Sequence, residues 1–114
     1  LIGFSDEEIE KAREAEPVFA AYELRAGMYD GMEEAVQTIS IPNVLVVNSD
    51  MDEELAYELT KLLFERTDDL IAVHPAANDT TVEFTMESTP VPLHPGAIRY
   101  FEEIEAEIPD RLRP

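Results

Sequence analysis

The chain has 114 residues, enough for one domain-sized core, and apolar side chains make up 45% of them. Its 26 acids against 8 bases leave a formal charge of −18, which argues against nucleic acid and anionic lipid as partners, because both are held through Lys and Arg. There is no cysteine, so disulfides, thiolate metal sites and thiol catalysis are excluded.

No apolar run approaches the roughly 18 residues of a membrane span. The chain opens Leu1-Ile2-Gly3-Phe4, with neither Met nor a basic leader, and reads as a processed or excised piece of something longer. The acid is spread evenly, ten residues in 1–37, six in 38–67 and ten in 68–114. Apolar residues are interleaved with it, which marks a folded domain with an acidic surface. Self-repulsion at this charge is costly in dilute buffer and is screened by salt. Salt adaptation is therefore expected, with an ordinary acidic domain as the alternative.

Ser5-Asp6-Glu7-Glu8 is a capping box, and the helix it opens should run over 6–16 and stop at Pro17. Val18 to Leu24 is a short apolar run with strand character. Gly27 to Gly31 is a turn. The stretch from Val36 to Val47 is the most strand-like part of the chain. Pro42 interrupts it, and the β-branched run Val44-Leu45-Val46-Val47 suits a strand covered on both faces.

Asp50-Met51-Asp52-Glu53 signals the next helix, with Asp50 as its cap, over 52–66. Leu55, Leu59, Leu62 and Leu63 recur at helical spacing and are expected to face the core. Asp68-Asp69 restarts a short helix that ends before His74-Pro75. Thr80-Thr81-Val82-Glu83 opens another over 81–87, with Thr80 as the cap. Pro90-Val91-Pro92-Leu93 is extended. Pro95 then begins a last helix whose Ile98, Phe101, Ile104 and Ile108 share one face, ending at Pro109.

The residues themselves point to no catalytic constellation. Carboxylate pairs occur everywhere by chance at this acid content. Asp50-x-Asp52-x-Glu54 resembles the start of a calcium loop, but its sixth position is Leu55 and its twelfth Lys61. His74 and His94 are the only histidines, and each precedes a proline. Two histidines lack the third ligand of a metal site, so they are expected to order the turns before Pro75 and Pro95. No nucleophile elbow, dinucleotide fingerprint or phosphate loop is present. Asn78-Asp79-Thr80 fits a glycosylation sequon. No cofactor is expected.

Five segments resemble one family in the same order. Gly27-Met28-Tyr29-Asp30-Gly31 resembles its Gly-x-Tyr-x-Gly turn, Thr38 to Val47 the strand that follows, and Asp52 to Lys61 the next helix. His74-Pro75-Ala76-Ala77 and Pro92-Leu93-His94-Pro95-Gly96-Ala97-Ile98-Arg99-Tyr100 complete the pattern. The family is the TAXI solute receptors of tripartite ATP-independent periplasmic (TRAP) transporters, and the resemblance is to their C-terminal third, over about residues 5–103.

The resemblance implies an α/β fold, the C-terminal portion of a type II periplasmic binding protein, with helices packed on a short sheet. It places 1–35 at the end of the second lobe and the return turn. It places 36–114 in the hinge-crossing strand and the C-terminal helices of the first lobe. The N-terminal lobe and most of the cleft are missing from these residues.

The implied activity is binding, not catalysis: extracytoplasmic capture of a small carboxylate or amino acid such as glutamate or glutamine, for uptake through TRAP permease subunits. Tyr29 is the expected ligand contact, as an aromatic wall or hydroxyl donor, with a packed turn tyrosine as the alternative. Asn43 is the second, unless it serves the backbone beside Pro42. Apolar faces at 44–47 and 52–66 left without partners would favour homo-oligomers. The competing readings are a stand-alone acidic interaction domain without ligand and an enzyme whose site leaves no signature.

Overall fold

The computed structural model describes all residues, Leu1–Pro114. The fold is mixed α/β, as expected: five α-helices and a two-stranded antiparallel sheet. The chain forms two compact units, residues 1–43 and 44–114.

In the first unit, helix α1 spans Asp6–Ala15 and opens with the complete capping box. The Ser5 hydroxyl accepts from the Glu8 amide at 3.4 Å, and the Glu8 carboxylate accepts from the Ser5 amide at 2.8 Å. The Ser5 amide, and after it the Ser5 hydroxyl donating to the same carboxylate at 2.9 Å, hold the Glu8 carboxyl below its ordinary range. Ile9 is the buried residue of α1.

Strands β1, Ala20–Leu24, and β2, Val36–Ser40, pair antiparallel, from Ala20 opposite Ser40 to Leu24 opposite Val36. The segment before α1 is tied to β2, since the Phe4 amide donates to the Gln37 carbonyl at 3.0 Å and the Gln37 side chain donates to Asp6 at 2.7 Å. The buried apolar residues here are Ile9, Ala20 and Met32. A lone ribbon is marginal in water, which makes these ties to residues 4–6 part of what holds it.

Pro42 is expected to divide the stretch from Val36 to Val47 into two strand segments or to mark a crossing point; the first segment is β2, ending at Ser40, and the second does not form. Val44 to Val47 are irregular and exposed, Leu45 and Val46 at 68% and 69%. A β-branched run has the propensity for a strand, but a strand exists only where another backbone pairs with it. No strand of this chain pairs with residues 44–47.

In the second unit, α2 spans Glu53–Glu65, α3 Thr67–Val73, α4 Val82–Ser88 and α5 Pro95–Glu103, with 3-10 turns at Pro75–Asp79 and Asp110–Leu112. Asp52, not Asp50, caps α2, accepting from the Leu55 amide at 3.0 Å. Thr81, not Thr80, caps α4, accepting from the Phe84 amide at 3.1 Å. Both starts lie a residue or two beyond the expected ones.

The core joins Tyr57, Met86, Ala97, Tyr100, Phe101 and Leu112, with Phe64, Val82, Leu93, Ala106 and Ile108 packed on it. Phe64 touches both Tyr100 and Phe101, at ring separations of 6.0 and 5.1 Å. The expected leucine stripe is only in part the inner face of α2: Leu59 and Leu63 are half-buried, but Leu55 and Leu62 are half exposed, and the buried residues are Ala56 and Tyr57. The reason lies in α5. Gly96 and Ala97 bring its first turn against Glu53, Ala56 and Tyr57, and an approach that close needs the small side of α2 rather than the leucine side.

Helix α5 also ends five residues before the expected limit at Pro109, with Ile104 as its C-cap, 43% exposed. Ile108 reaches the core from beyond the helix. The stop is a Schellman motif: the Ala106 amide donates to the Phe101 carbonyl at 2.9 Å and the Glu105 amide to the Glu102 carbonyl at 3.0 Å. Glu105 holds the left-handed position, φ 58°, where glycine is the residue without steric cost. Glu105→Gly is expected to stabilise the second unit by about 1 kcal/mol, read as a higher urea midpoint at an unchanged slope.

Candidate functional site

Tyr29 sits in a turn built by its neighbours. The Gly27 amide donates to the Met32 carbonyl at 2.7 Å, and the Met32 amide donates to the Tyr29 carbonyl at 3.0 Å. Gly27 and Gly31 take φ of 79° and 78°, angles that glycine alone adopts freely. The outcome is a short projection carrying Tyr29, 57% exposed, and Met28, 44% exposed. Tyr29 is thus presented largely to solvent.

Asn43 is exposed beyond β2. The register puts Leu24 and Val36 at the Tyr29 end of the ribbon and Ala20 and Ser40 at the Asn43 end. At about 3.4 Å per residue the strands hold the two ends roughly 14 Å apart. Tyr29 thus lies in the turn that joins one end of the ribbon, and Asn43 follows the strand end at the other.

Both histidines do what their position before proline suggested. His74 Nδ1 accepts from the Ala76 amide and His94 Nδ1 from the Gly96 amide, each at 3.1 Å. Each is an N-cap followed by proline at the first helical position. The other ring nitrogen of His94, Nε2, is buried without a partner. The calcium-like residues are also accounted for structurally, Asp52 as the α2 cap and Glu54 as a partner of Arg99 at 2.8 Å.

Sequence reasoning missed two polar clusters in the second unit. In the first, the Arg99 guanidinium lies 4.0 Å from the centre of the Tyr57 ring and pairs with Glu54 and Glu53. The Tyr57 hydroxyl donates to Glu103 at 2.6 Å, which pushes its pKa above the ordinary phenol range. A phenol held protonated is a donor and a spacer between helices, not a base. In the second cluster, Arg111 donates to the carbonyls of Thr89 at 2.6 Å, Glu87 at 2.9 Å and Met86. It closes the C-terminus of α4, where a cation also suits the helix dipole. Neither cluster could be read from spacing, because Tyr57 and Glu103 lie 46 residues apart and Arg111 and Met86 lie 25 apart.

These contacts commit most of the scarce positive charge. Lys11, Arg13, Lys61, Arg66, Arg99 and Arg113 each hold an acid, and Arg111 holds carbonyls. No helix is long and apolar enough to cross a membrane.

The mixed α/β fold, helices beside a short two-stranded sheet, is consistent with part of a periplasmic-binding architecture. Residues 1–104 match the NMT1-like family, and the chain belongs to that family. The family is related to the periplasmic binding proteins, so the coarse function is solute binding and the coarse partner a small molecule. Such proteins typically work outside the cytoplasm. No curated protein matches the chain significantly.

Proposed function

We propose that the chain is part of an extracytoplasmic receptor of the TAXI type, feeding TRAP permease subunits, and that its solute is a small carboxylate or amino acid such as glutamate or glutamine. Residues 92–100 carry this reading. They most resemble the TAXI receptors, and they form the His94 cap, the Gly96 approach and the aromatic face of α5. The resemblance thus falls on a scaffold whose geometry needs those residues. In such a receptor the solute is gripped when an opposing lobe closes, and it favours the closed form through its higher affinity for it. Tyr29 serves as a ring wall or hydroxyl donor and Asn43 as an amide contact. The role is binding without turnover.

The test is calorimetry and thermal shift with glutamate and glutamine on the receptor as the cell makes it. The melting point is expected to climb with ligand concentration by mass action. Tyr29→Ala should weaken binding while leaving the ligand-free melting point in place. A flat response to both solutes defeats the carboxylate reading, and consumption of a solute defeats the non-enzymatic one.

A second reading, an acidic interaction domain that self-associates, is favoured by one observation. Nothing charged lies between Glu34 and Asp50, and Val44 to Val47 in that stretch are exposed, as are Leu55 and Leu62 nearby in the sequence. Light scattering in molar salt decides it, since a strict monomer removes the oligomer. The same salt series tests adaptation. At −18 the melting point should rise steeply from millimolar to molar salt, and an unchanged value sinks the idea.

A further inference from the structure

We propose that Asn78 is an attachment site for an N-linked saccharide. This rests on the extracytoplasmic reading above, because transfer to asparagine takes place on exported protein. Asn78-Asp79-Thr80 is the sole sequon of the chain. The structure adds three observations that a triplet alone lacks.

The first is placement. Asn78 is exposed, and neither α3 nor the 3-10 turn that carries it contributes a buried residue. None of Thr67–Asp79 belongs to the core cluster, and Asn78 is on its exposed side, so a bulky group on that side chain displaces no core packing. Local opening of such a segment also costs little, since few apolar contacts are broken. The second is the hydroxyl of Thr80. Thr81 Oγ1 caps α4, so the sequon threonine is not consumed by helix capping. Thr80 itself lies in a tight bend, φ −75° and ψ 75°, with the Thr81 amide donating to the Asp79 carbonyl at 2.9 Å. This is an inverse γ-turn, which carries the chain sharply away from Asn78.

The third is the amide. Asn78 Nδ2 donates to the Pro75 carbonyl at 2.8 Å. A primary amide carries two N–H donors, and glycosylation replaces one. The product keeps a proton for Pro75, so the turn survives modification. In the transfer, Nδ2 attacks the anomeric carbon of a lipid-phosphate-linked saccharide. The N–C bond forms, the anomeric C–O bond to phosphate breaks, the lipid phosphate leaves with the electron pair, and the displaced amide proton passes to a base of the transferase.

The test is peptide mapping of the chain purified from the organism that makes it, together with cell fractionation. Trypsin releases residues 67–99, whose only asparagine is Asn78. This peptide should carry, on most copies, a mass excess built of sugar increments, with sugar fragment ions. Asn78→Gln should abolish the excess. So should Thr80→Ala, which leaves the acceptor in place, and neither should shift the melting point appreciably. A bare peptide from exported protein overturns the glycan proposal and leaves the receptor reading standing. A bare peptide from protein retained in the cytoplasm overturns both.

Discussion

Gly96→Ala is expected to remove a large part of the stability of residues 44–114. A Cβ built on Gly96 would lie 2.7 Å from the Tyr57 backbone nitrogen, 2.9 Å from Ala56 Cβ, and closer still to the Glu53 carbonyl oxygen. Two of these are backbone atoms of α2, so relief requires one helix to retreat from the other. That movement would part Tyr57 from Tyr100, whose rings stand 6.2 Å apart edge to face, and would lengthen the Arg99–Glu54 pair of 2.8 Å. Overpacking against fixed backbone costs about 3 kcal/mol or more. Alanine's helix propensity returns at most about 1 kcal/mol, so the clash wins. A unit of this size has roughly 4–10 kcal/mol in total, and the loss is therefore a large part of it. The chain has no tryptophan, so near-UV circular dichroism of the tyrosines in a urea series is the readout. Gly27→Ala is the control: its φ is +79° but its Cβ would meet open space, so only backbone strain of about 1–2 kcal/mol applies. Equal midpoints for the two variants would mean that α2 and α5 have slack at their crossing.

How far such a packing detail was legible beforehand depends on its range in sequence. Features closed within four residues could be read. The Ser5–Glu8 box, the two histidine caps and the Gly27–Gly31 turn need only a donor, an acceptor and a permissive backbone side by side. Ser5 and Thr81 show how fine the limit is. The box at Ser5 was placed correctly, whereas Thr80 and Thr81 are chemically equivalent and only the structure assigns the cap to the second.

Features that depend on a distant partner could not be read. Val44 to Val47 have the composition of a buried strand and no strand to pair with. Leu55 and Leu62 have the spacing of a core stripe, but Gly96, some 40 residues away, turns α2 so that its alanine side faces inward. Glu105 occupies a position where the sequence signal is glycine, so the end of α5 left no trace. The candidate site follows the same division. Tyr29 was recognisable from its turn, yet which strand ends lie beside Tyr29 and beside Asn43 depends on strand register, which no local pattern contains.

The second large effect concerns the last ten residues, which lie beyond the family match at 104. They are nonetheless built into the core. Leu112 is 0% exposed, and its carbonyl accepts from the Leu93 amide at 2.8 Å. Arg111 beside it closes α4 through three carbonyls. Ala106 and Ile108 pack on the same cluster. Leu112→Ala should therefore cost about 2–5 kcal/mol, toward the upper end if its neighbours cannot collapse into the space. Arg111→Ala should cost less, about 1–2 kcal/mol, because charge-assisted bonds to carbonyls are strong but this side chain remains partly in water. Arg113→Ala is the comparison within the same segment. Its 2.9 Å pair with Glu102 is solvent-exposed, and its loss should stay below about 1 kcal/mol. Ending the chain at Ile104 removes all of these contacts at once and uncovers Phe101, now 1% exposed. That truncation should keep much of the helical far-UV signal while losing the near-UV signal of the tyrosine cluster, the mark of secondary structure without fixed packing. A truncated chain that unfolds in urea as cooperatively as the full one would show the segment to be an appendage, and the burial of Leu112 to be without energetic weight.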